Sequence, residues 1–129
     1  MINILANDGI SVSAIEKLNK NGFHVETTSV SQEELADSIN KNNFEVVLVR
    51  SATKIRKDII DKCPNLKIIG RGGVGMDNID VNYAEENNIL VINTPAASSS
   101  SVAELVFAHL FGMVRFLYAS NRLMPMEGD

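Results

Sequence analysis

The stretch Gly70-Arg71-Gly72-Gly73-Val74-Gly75-Met76-Asp77-Asn78-Ile79-Asp80, directly after the apolar run Leu66-Lys67-Ile68-Ile69, decides how the rest of the chain is read. Four glycines in six positions at the end of a predicted strand give up packing and chain entropy. That loss is tolerated where the main chain approaches a ligand or takes positive φ. Residues 70–75 match G-x-G-x-x-G literally. A dinucleotide fingerprint, however, needs a helix starting within the glycines and an acid about 20 residues on. Met76 to Asp80 delays the helix, and Ile92-Asn93-Thr94-Pro95-Ala96 supplies no acid. The pattern predicts a loop of free amides beside Arg71, suited to a small anion such as a carboxylate. A plain tight turn is the alternative, but one or two glycines would suffice for it.

Upstream, Phe44 to Val49 is the most apolar run, as expected of a central parallel strand covered on both faces. Arg50-Ser51-Ala52-Thr53 follows it, then a short helix carrying Ile55, Ile59 and Ile60 that stops before Pro64. Ile2 to Ala6 reads as a buried strand closed by Asn7-Asp8-Gly9. A helix capped by Ser11 or Ser13 comes next, with Ile15 and Leu18 inward and Asn21-Gly22 as its stop. Phe23 to Thr27 alternates like an edge strand. Ser31 with Glu34 forms a capping box, and Val30 against Leu35 a staple, for a helix through about Lys41. Downstream, Asp80 caps a helix through about Asn87, and Ile89 to Ile92 is a fifth strand. The order βαβαβαβαβ predicts an α/β fold: a flavodoxin-like five-stranded parallel sheet, order 2-1-3-4-5, with helices on both faces. Ligands bind such sheets at the carboxyl ends of the strands, where Arg50-Ser51 and the glycine loop both fall.

After Thr94-Pro95 the chain changes character. Ser98-Ser99-Ser100-Ser101 reads as capping material for a long C-terminal helix to about Asn121, so the expected division is 1–97 and 98–129. Val102, Leu105, Phe107, Leu110, Phe111 and Val114 cover almost its whole circumference, more than one stripe against a sheet can bury. Glu104, His109 and Arg115 make the run too charged for a comfortable membrane span. A second copy of the chain is the expected cover for residues 102–119.

At 129 residues, 45% apolar and 22% charged, the chain has room for one ordinary domain. A net charge of -4 and a pI near 5.1, with no basic stripe, argue against nucleic acid as a partner. A single cysteine, Cys63, excludes an intramolecular disulfide and a cysteine-based zinc site. The N-terminus has neither a basic region nor an apolar run long enough for a signal peptide, so the expected setting is cytoplasmic.

Arg50-Ser51-Ala52-Thr53, the stretch from Gly70 to Asp80, and Asn93-Thr94-Pro95 with Val102-Ala103-Glu104 together resemble, in order and spacing, the amino-terminal part of the D-2-hydroxyacid dehydrogenase family, phosphoglycerate dehydrogenases in particular. The resemblance runs from end to end. It implies a substrate domain followed by a helix that crosses to a Rossmann domain binding NAD. It implies that Arg50 and Arg71 hold a substrate phosphate with help from Ser51, and that amides around Gly73, Val74 and Gly75 hold the carboxylate. Val74 and Val102, with Ser98 where many relatives carry Asn, would approach the nicotinamide end of the cofactor. The reaction implied is oxidation of 3-phosphoglycerate to 3-phosphohydroxypyruvate, in serine biosynthesis, by a dimer. The family's catalytic Arg, Glu and His and its true G-x-G-x-x-G fall beyond Asp129, so this chain alone is expected to be inactive, with no catalytic residue of its own. His24 and His109 are not expected to replace them, because neither setting supplies an orienting polar neighbour and a substrate.

Two arginines at adjacent strand ends favour a phosphorylated hydroxy acid over lactate or glycerate, since a guanidinium fork matches phosphate bidentately. A lone Arg50 would more simply be a surface ion pair with Asp77 or Asp58. Asp77, Asn78 and Asp80 read as a helix entry rather than a metal site. A non-catalytic flavodoxin-like binding or regulatory module is the alternative. A receiver domain is disfavoured because Arg50-Ser51 stands where its acceptor Asp would be.

Overall fold

Strands β1 (Asn3–Ala6), β2 (His24–Glu26), β3 (Val46–Val49), β4 (Ile68–Arg71) and β5 (Leu90–Asn93) form one parallel sheet in the order 2-1-3-4-5, in a computed structural model that describes residues 1–127. Between them run α1 (Val12–Lys20), α2 (Leu35–Lys41), α3 (Lys57–Lys62) and α4 (Val81–Glu86). The expected flavodoxin-like topology is the one observed, with β2 on the edge and β3 at the centre. The chain separates into two units, Met1–Pro95 and Ala96–Asp129.

Register explains why the two sheet faces differ. Leu5, Val47, Ile69 and Val91 are successive partners across β1, β3, β4 and β5, so they share one face. That face carries the core, where they pack with Leu35 and Ile39 of α2, Ile59 and Ile60 of α3, and Ala84 of α4. Ile4, Val46, Ile68 and Leu90 form a row on the opposite face, and Ala6, Leu48, Gly70 and Ile92 form the next. The chain steps one way from β1 to β2 and the other way from β2 through β5. Right-handed crossovers therefore place α1 on this second face and α2, α3 and α4 on the first. One helix cannot cover five strands, and at the β5 end Leu90 and Ile92 are 58% and 49% exposed.

Local signals operate mostly as expected. Ser11, not Ser13, caps α1, accepting from the Ala14 amide at 3.3 Å. The expected Ser31–Glu34 capping box forms only in half: the Glu34 amide donates to Ser31 Oγ at 3.4 Å, but Glu34 Oε2 accepts the Ser31 hydroxyl at 3.2 Å instead of its amide, and α2 begins only at Leu35. Three helices end on a residue in the left-handed region: Gly22 at φ 84°, Asn43 at 50° and Asn88 at 60°. Ile55 lies outside the short helix expected to carry it. It forms an isolated parallel bridge to Ile79 instead.

Within Ala96–Asp129, Ser98 precedes α5 (Ser99–Val114), and the expected single long helix is interrupted. Phe116 adopts φ 51°, an unusual conformation for an aromatic residue, and α6 (Leu117–Glu127) leaves at 50° to α5. Among the described residues no single helix is long and apolar enough to cross a membrane; only the bent pair together reaches that length and composition. No residue of α5 is buried, and Phe107 and Phe111 stack on each other at 6.2 Å between ring centroids.

The asymmetry of the sheet has a direct thermodynamic signature. Leu5→Ala, on the covered face, is expected to cost about 2–5 kcal/mol. Leu90→Ala, already half-wet, is expected to cost under about 1 kcal/mol, since most of its area is not withdrawn from water. Urea denaturation of the two variants against the parent chain measures both.

Candidate anion-binding cleft

The carboxyl ends of β1, β3, β4 and β5 lie along one edge, and a cleft of about 670 Å³ opens there on the thinly covered face. Leu48, Gly70 and Ile92 are its floor, Ile10, Ser11 and Ala14 its α1 side, and Arg50, Arg71, Gly72, Asn93 and Thr94 its rim. Gly70 belongs to β4, because the strand runs on to Arg71 instead of ending at Ile69. Its missing side chain has a packing reason: an added Cβ would lie 2.7 Å from Leu48 Cδ2 and 3.6 Å from Ile92 Cγ1. Glycine keeps the floor open.

The glycine turn also lies against both arginines: a Cβ on Gly72 would make an ordinary contact with Arg50 Cγ at 3.5 Å, and one on Gly73 would fall where the Arg71 guanidinium lies. The two cationic side chains thus flank neighbouring residues of one turn. The ion pairs among the described residues are Arg56–Asp80 at 2.8 Å and Lys67–Glu45, so Arg50 pairs with neither Asp77 nor Asp58. Arg71 Nε is buried and meets no acceptor. Two guanidinium groups stand at one rim without a carboxylate on either.

The loop is not uniformly a set of free amides. The Gly72 amide donates to Val49 O at 2.8 Å and that of Gly73 to Arg71 O at 3.0 Å. From the β5 end, Thr94 N donates to Gly73 O at 3.1 Å and Asn93 Nδ2 to Val74 O at 2.7 Å, fixing the turn's carbonyls. Among the described residues the amides of Val74 and Gly75 donate to no acceptor. Gly73, Val74 and Gly75 lie just beyond the rim, while Ser51 is exposed and contributes no wall. Ser98 and Val102 belong to the other unit, at the start of α5, where Val102 is exposed.

Four polar residues whose local sequence reads only as turn or cap signals organise the rim. Asp8 Oδ2 accepts from the amides of Arg50 at 2.6 Å and Thr53 at 3.2 Å, and its Oδ1 accepts the Thr53 hydroxyl proton. Thr53 Oγ1 in turn accepts from Asn7 Nδ2 at 2.8 Å, and Asn7 also pairs with both backbone groups of Val30. Buried Asn78 donates to Arg50 O at 2.8 Å and Thr53 O at 2.7 Å. Asp8 was discoverable by the same logic that singled out Arg50: it follows a strand whose carboxyl end faces the ligand edge. Asp80 does not cap α4 with its side chain; it reaches Arg56 and the Lys57 amide at 2.9 Å, at the first turn of α3. The Arg56 guanidinium and the Lys57 amide hold its carboxyl below the usual value.

Other titratable groups offer no chemistry at the cleft. No histidine lines it, and His24 lines a separate polar groove of about 520 Å³ with Glu26, Ser38 and Asn42. His109 lies in the groove at the α5–α6 bend. Cys63 is buried, and burial pushes its thiol up to about 11.

A family model described as D-isomer specific 2-hydroxyacid dehydrogenase, catalytic domain, matches residues 4–120. A D-3-phosphoglycerate dehydrogenase of Methanocaldococcus jannaschii is 44% identical over 115 residues, covering 89% of this chain and 22% of that protein. A hydroxypyruvate reductase of Thermotoga maritima is 43% identical over 112 residues, covering 86% of this chain and 36% of that protein. The NAD-bound crystal structure of 3-phosphoglycerate dehydrogenase from Entamoeba histolytica superposes with a TM-score of 0.71 at 30% identity, covering 86% of this chain and 38% of that one. The chain thus spans well under half the length of these relatives.

Asp8 gives the site a pH dependence whose sign is fixed by its partners. Burial works against its charge, but the Thr53 hydroxyl and the amides of Arg50, Thr53 and Ala52 outweigh it and hold the carboxyl below the ordinary 3.8. The unfolded chain therefore binds the Asp8 proton first on acidification. Its stabilising contribution is complete above pH 3.8 and disappears as pH falls through the lower folded value. Thermal melts across this window should show the parent more stable than Asp8→Asn at neutral pH, with the gap closing as the pH drops below 3.8.

Proposed function

This chain belongs to the D-isomer specific 2-hydroxyacid dehydrogenase family, and on that footing we propose that it is the substrate-binding part of an NAD-dependent D-3-phosphoglycerate dehydrogenase. The observation that carries this reading is the pair of unpaired guanidinium groups, Arg50 and Arg71, at neighbouring strand ends on one rim. In our reading they hold the phosphate of 3-phosphoglycerate, while the unbonded amides of Val74 and Gly75 take its carboxylate. Ser51 assists from the same loop. The substrate's hydroxyl-bearing carbon is thereby fixed at both ends, the entropic contribution that positioning makes to a hydride step. An unphosphorylated hydroxy acid would leave both guanidinium groups without a partner.

A nicotinamide cofactor supplies the hydride acceptor in such enzymes. Val74, 51% exposed beside the glycine turn, offers such a cofactor an apolar surface. The glycine turn does not open a helix, because α4 begins only at Val81, so it provides no pyrophosphate cradle. The cleft likewise holds no free general base, since Asp8, the carboxylate that lines it, already accepts from the Arg50–Thr53 loop. We therefore assign binding and orientation to this chain, and the oxidation to 3-phosphohydroxypyruvate, as a step toward serine, to the parent enzyme.

Self-association through residues 102–119 is the second part of the reading. Phe107, Leu110 and Phe111 of α5 and Leu117 of α6 are all exposed. Burying half of such side chains is worth about 1.5–3 kcal/mol each before the entropic cost of pairing. Sedimentation velocity over a concentration series should show dimers that dissociate on dilution; a monomer throughout would refute this part.

For the binding site the measurement is an NMR titration with inorganic phosphate and 3-phosphoglycerate. Millimolar binding is expected, with shifts concentrated at Arg50 and 70–75. Arg50→Gln or Arg71→Gln should weaken it at least about tenfold, since a charge-assisted hydrogen bond is worth about 1.5–3 kcal/mol. Binding unchanged in both variants would overturn the assignment.

A further inference from the structure

The loop that presents Arg50 has no regular structure of its own. It leaves β3 after Val49 and reaches α3 only at Lys57, so its peptide groups fall outside both the sheet ladder and any helix. Backbone groups in that position need other partners. Arg50 finds two. Its amide donates to Asp8 at 2.6 Å, across 42 residues, and its carbonyl accepts from Asn78 at 2.8 Å, across 28. Thr53, midway along the loop, is held in the same way: its amide and hydroxyl go to Asp8, and its carbonyl takes the second Asn78 proton at 2.7 Å.

We infer that Asp8, Thr53 and Asn78 are positioning residues: a clamp that fixes where the Arg50 side chain leaves the backbone relative to Arg71, and so sets affinity for a phosphate-bearing ligand without touching it. This rests on the reading of Arg50 and Arg71 as the phosphate site. Three features argue for a device rather than incidental satisfaction of polar groups. Asn78 spends both of its amide protons on two carbonyls of one loop. Its Oδ1 is buried without a partner, so the side chain acts here by donation alone. Finally, Asn78 stands at the far end of the glycine stretch that begins beside Arg71. The Ile55 and Asp80 amides and the Arg56 guanidinium sew that end to the same connection, donating to Asn78 O, Ile55 O and Asp77 O. The clamp therefore ties the Arg50 loop to the Arg71 turn as one rigid piece. Asp8 does this with a carboxylate in a cleft meant for an anion, which is tolerable because its oxygens are turned into the loop's N–H and O–H donors.

Phosphate titrations of the 129-residue chain test the clamp, with NMR or calorimetry giving the dissociation constant. Thr53→Val keeps size and loses the hydroxyl; Asn78→Leu keeps size and loses both donors without adding charge. Each is expected to weaken phosphate binding about tenfold, the scale of one charge-assisted hydrogen bond broken when Arg50 is misplaced. Thr53→Ser, which restores the hydroxyl, should return affinity to within about twofold of the parent. Ile60→Val, a core change of comparable stability cost, should leave it unmoved and so separates positioning from mere destabilisation. If Asn78→Leu does not fold, Thr53→Val against Thr53→Ser decides alone. Parent-like affinity in Thr53→Val, with Arg50→Gln still deficient, overturns the clamp and leaves the phosphate site standing. Parent-like affinity in Arg50→Gln refutes the site and the clamp with it.

Discussion

A parallel sheet brings every strand to an end on the same edge, and there the backbone loses its ladder partners all at once. The rest of this structure answers that constraint. Beyond β1, β3, β4 and β5 the chain turns away from the sheet, and the segments after β3 and β4 are caught by side chains from others. Asp8 and Asn78 hold the segment after β3, while Asn93 and Thr94 hold the segment after β4. Unpaired buried amides and carbonyls would each cost about 1–3 kcal/mol, so this stitching is the condition for having irregular backbone at the edge. It also makes the edge rigid, as a binding site requires.

The electrostatics follow from the same arrangement. The chain as a whole carries a charge of -4, yet its ligand edge presents two guanidinium groups with no carboxylate paired to them. What prevents Asp8 from neutralising Arg50 directly is hydrogen bonding. Its oxygens are drawn to amides and a hydroxyl of the loop, so the acid supports the backbone of Arg50 and leaves its head free. Glycine does the complementary work: Gly73 leaves space for the Arg71 guanidinium, and Gly70 lets the Leu48 side chain pack close over the strand.

Family membership leaves the kind of ligand open, since relatives of similar identity are named D-3-phosphoglycerate dehydrogenase and hydroxypyruvate reductase. The unpaired arginine pair speaks to that difference, because it is a property of this chain's own rim. The chain spans a fraction of each relative's length.

The alternation of strands and helices, the strand order, the edge position of β2 and the convergence of Arg50 with the glycine stretch are all legible in the sequence. They follow from short-range patterns: apolar runs, capping pairs such as Ser31 with Glu34, and helix stops such as Asn21-Gly22. What Asn7, Asp8, Thr53 and Asn78 do emerges only on folding, because their partners lie 23 to 46 residues away and a turn residue looks the same whether it turns or clamps. Folding also makes Gly70 a strand residue kept small by Leu48, and turns Asp80 to the service of α3 rather than the helix it precedes. The bend at Phe116 was equally hidden, since a helical pattern in sequence carries no mark of one residue turning to positive φ. Periodicity records which face a residue occupies; which atom it meets there depends on how distant segments are brought side by side.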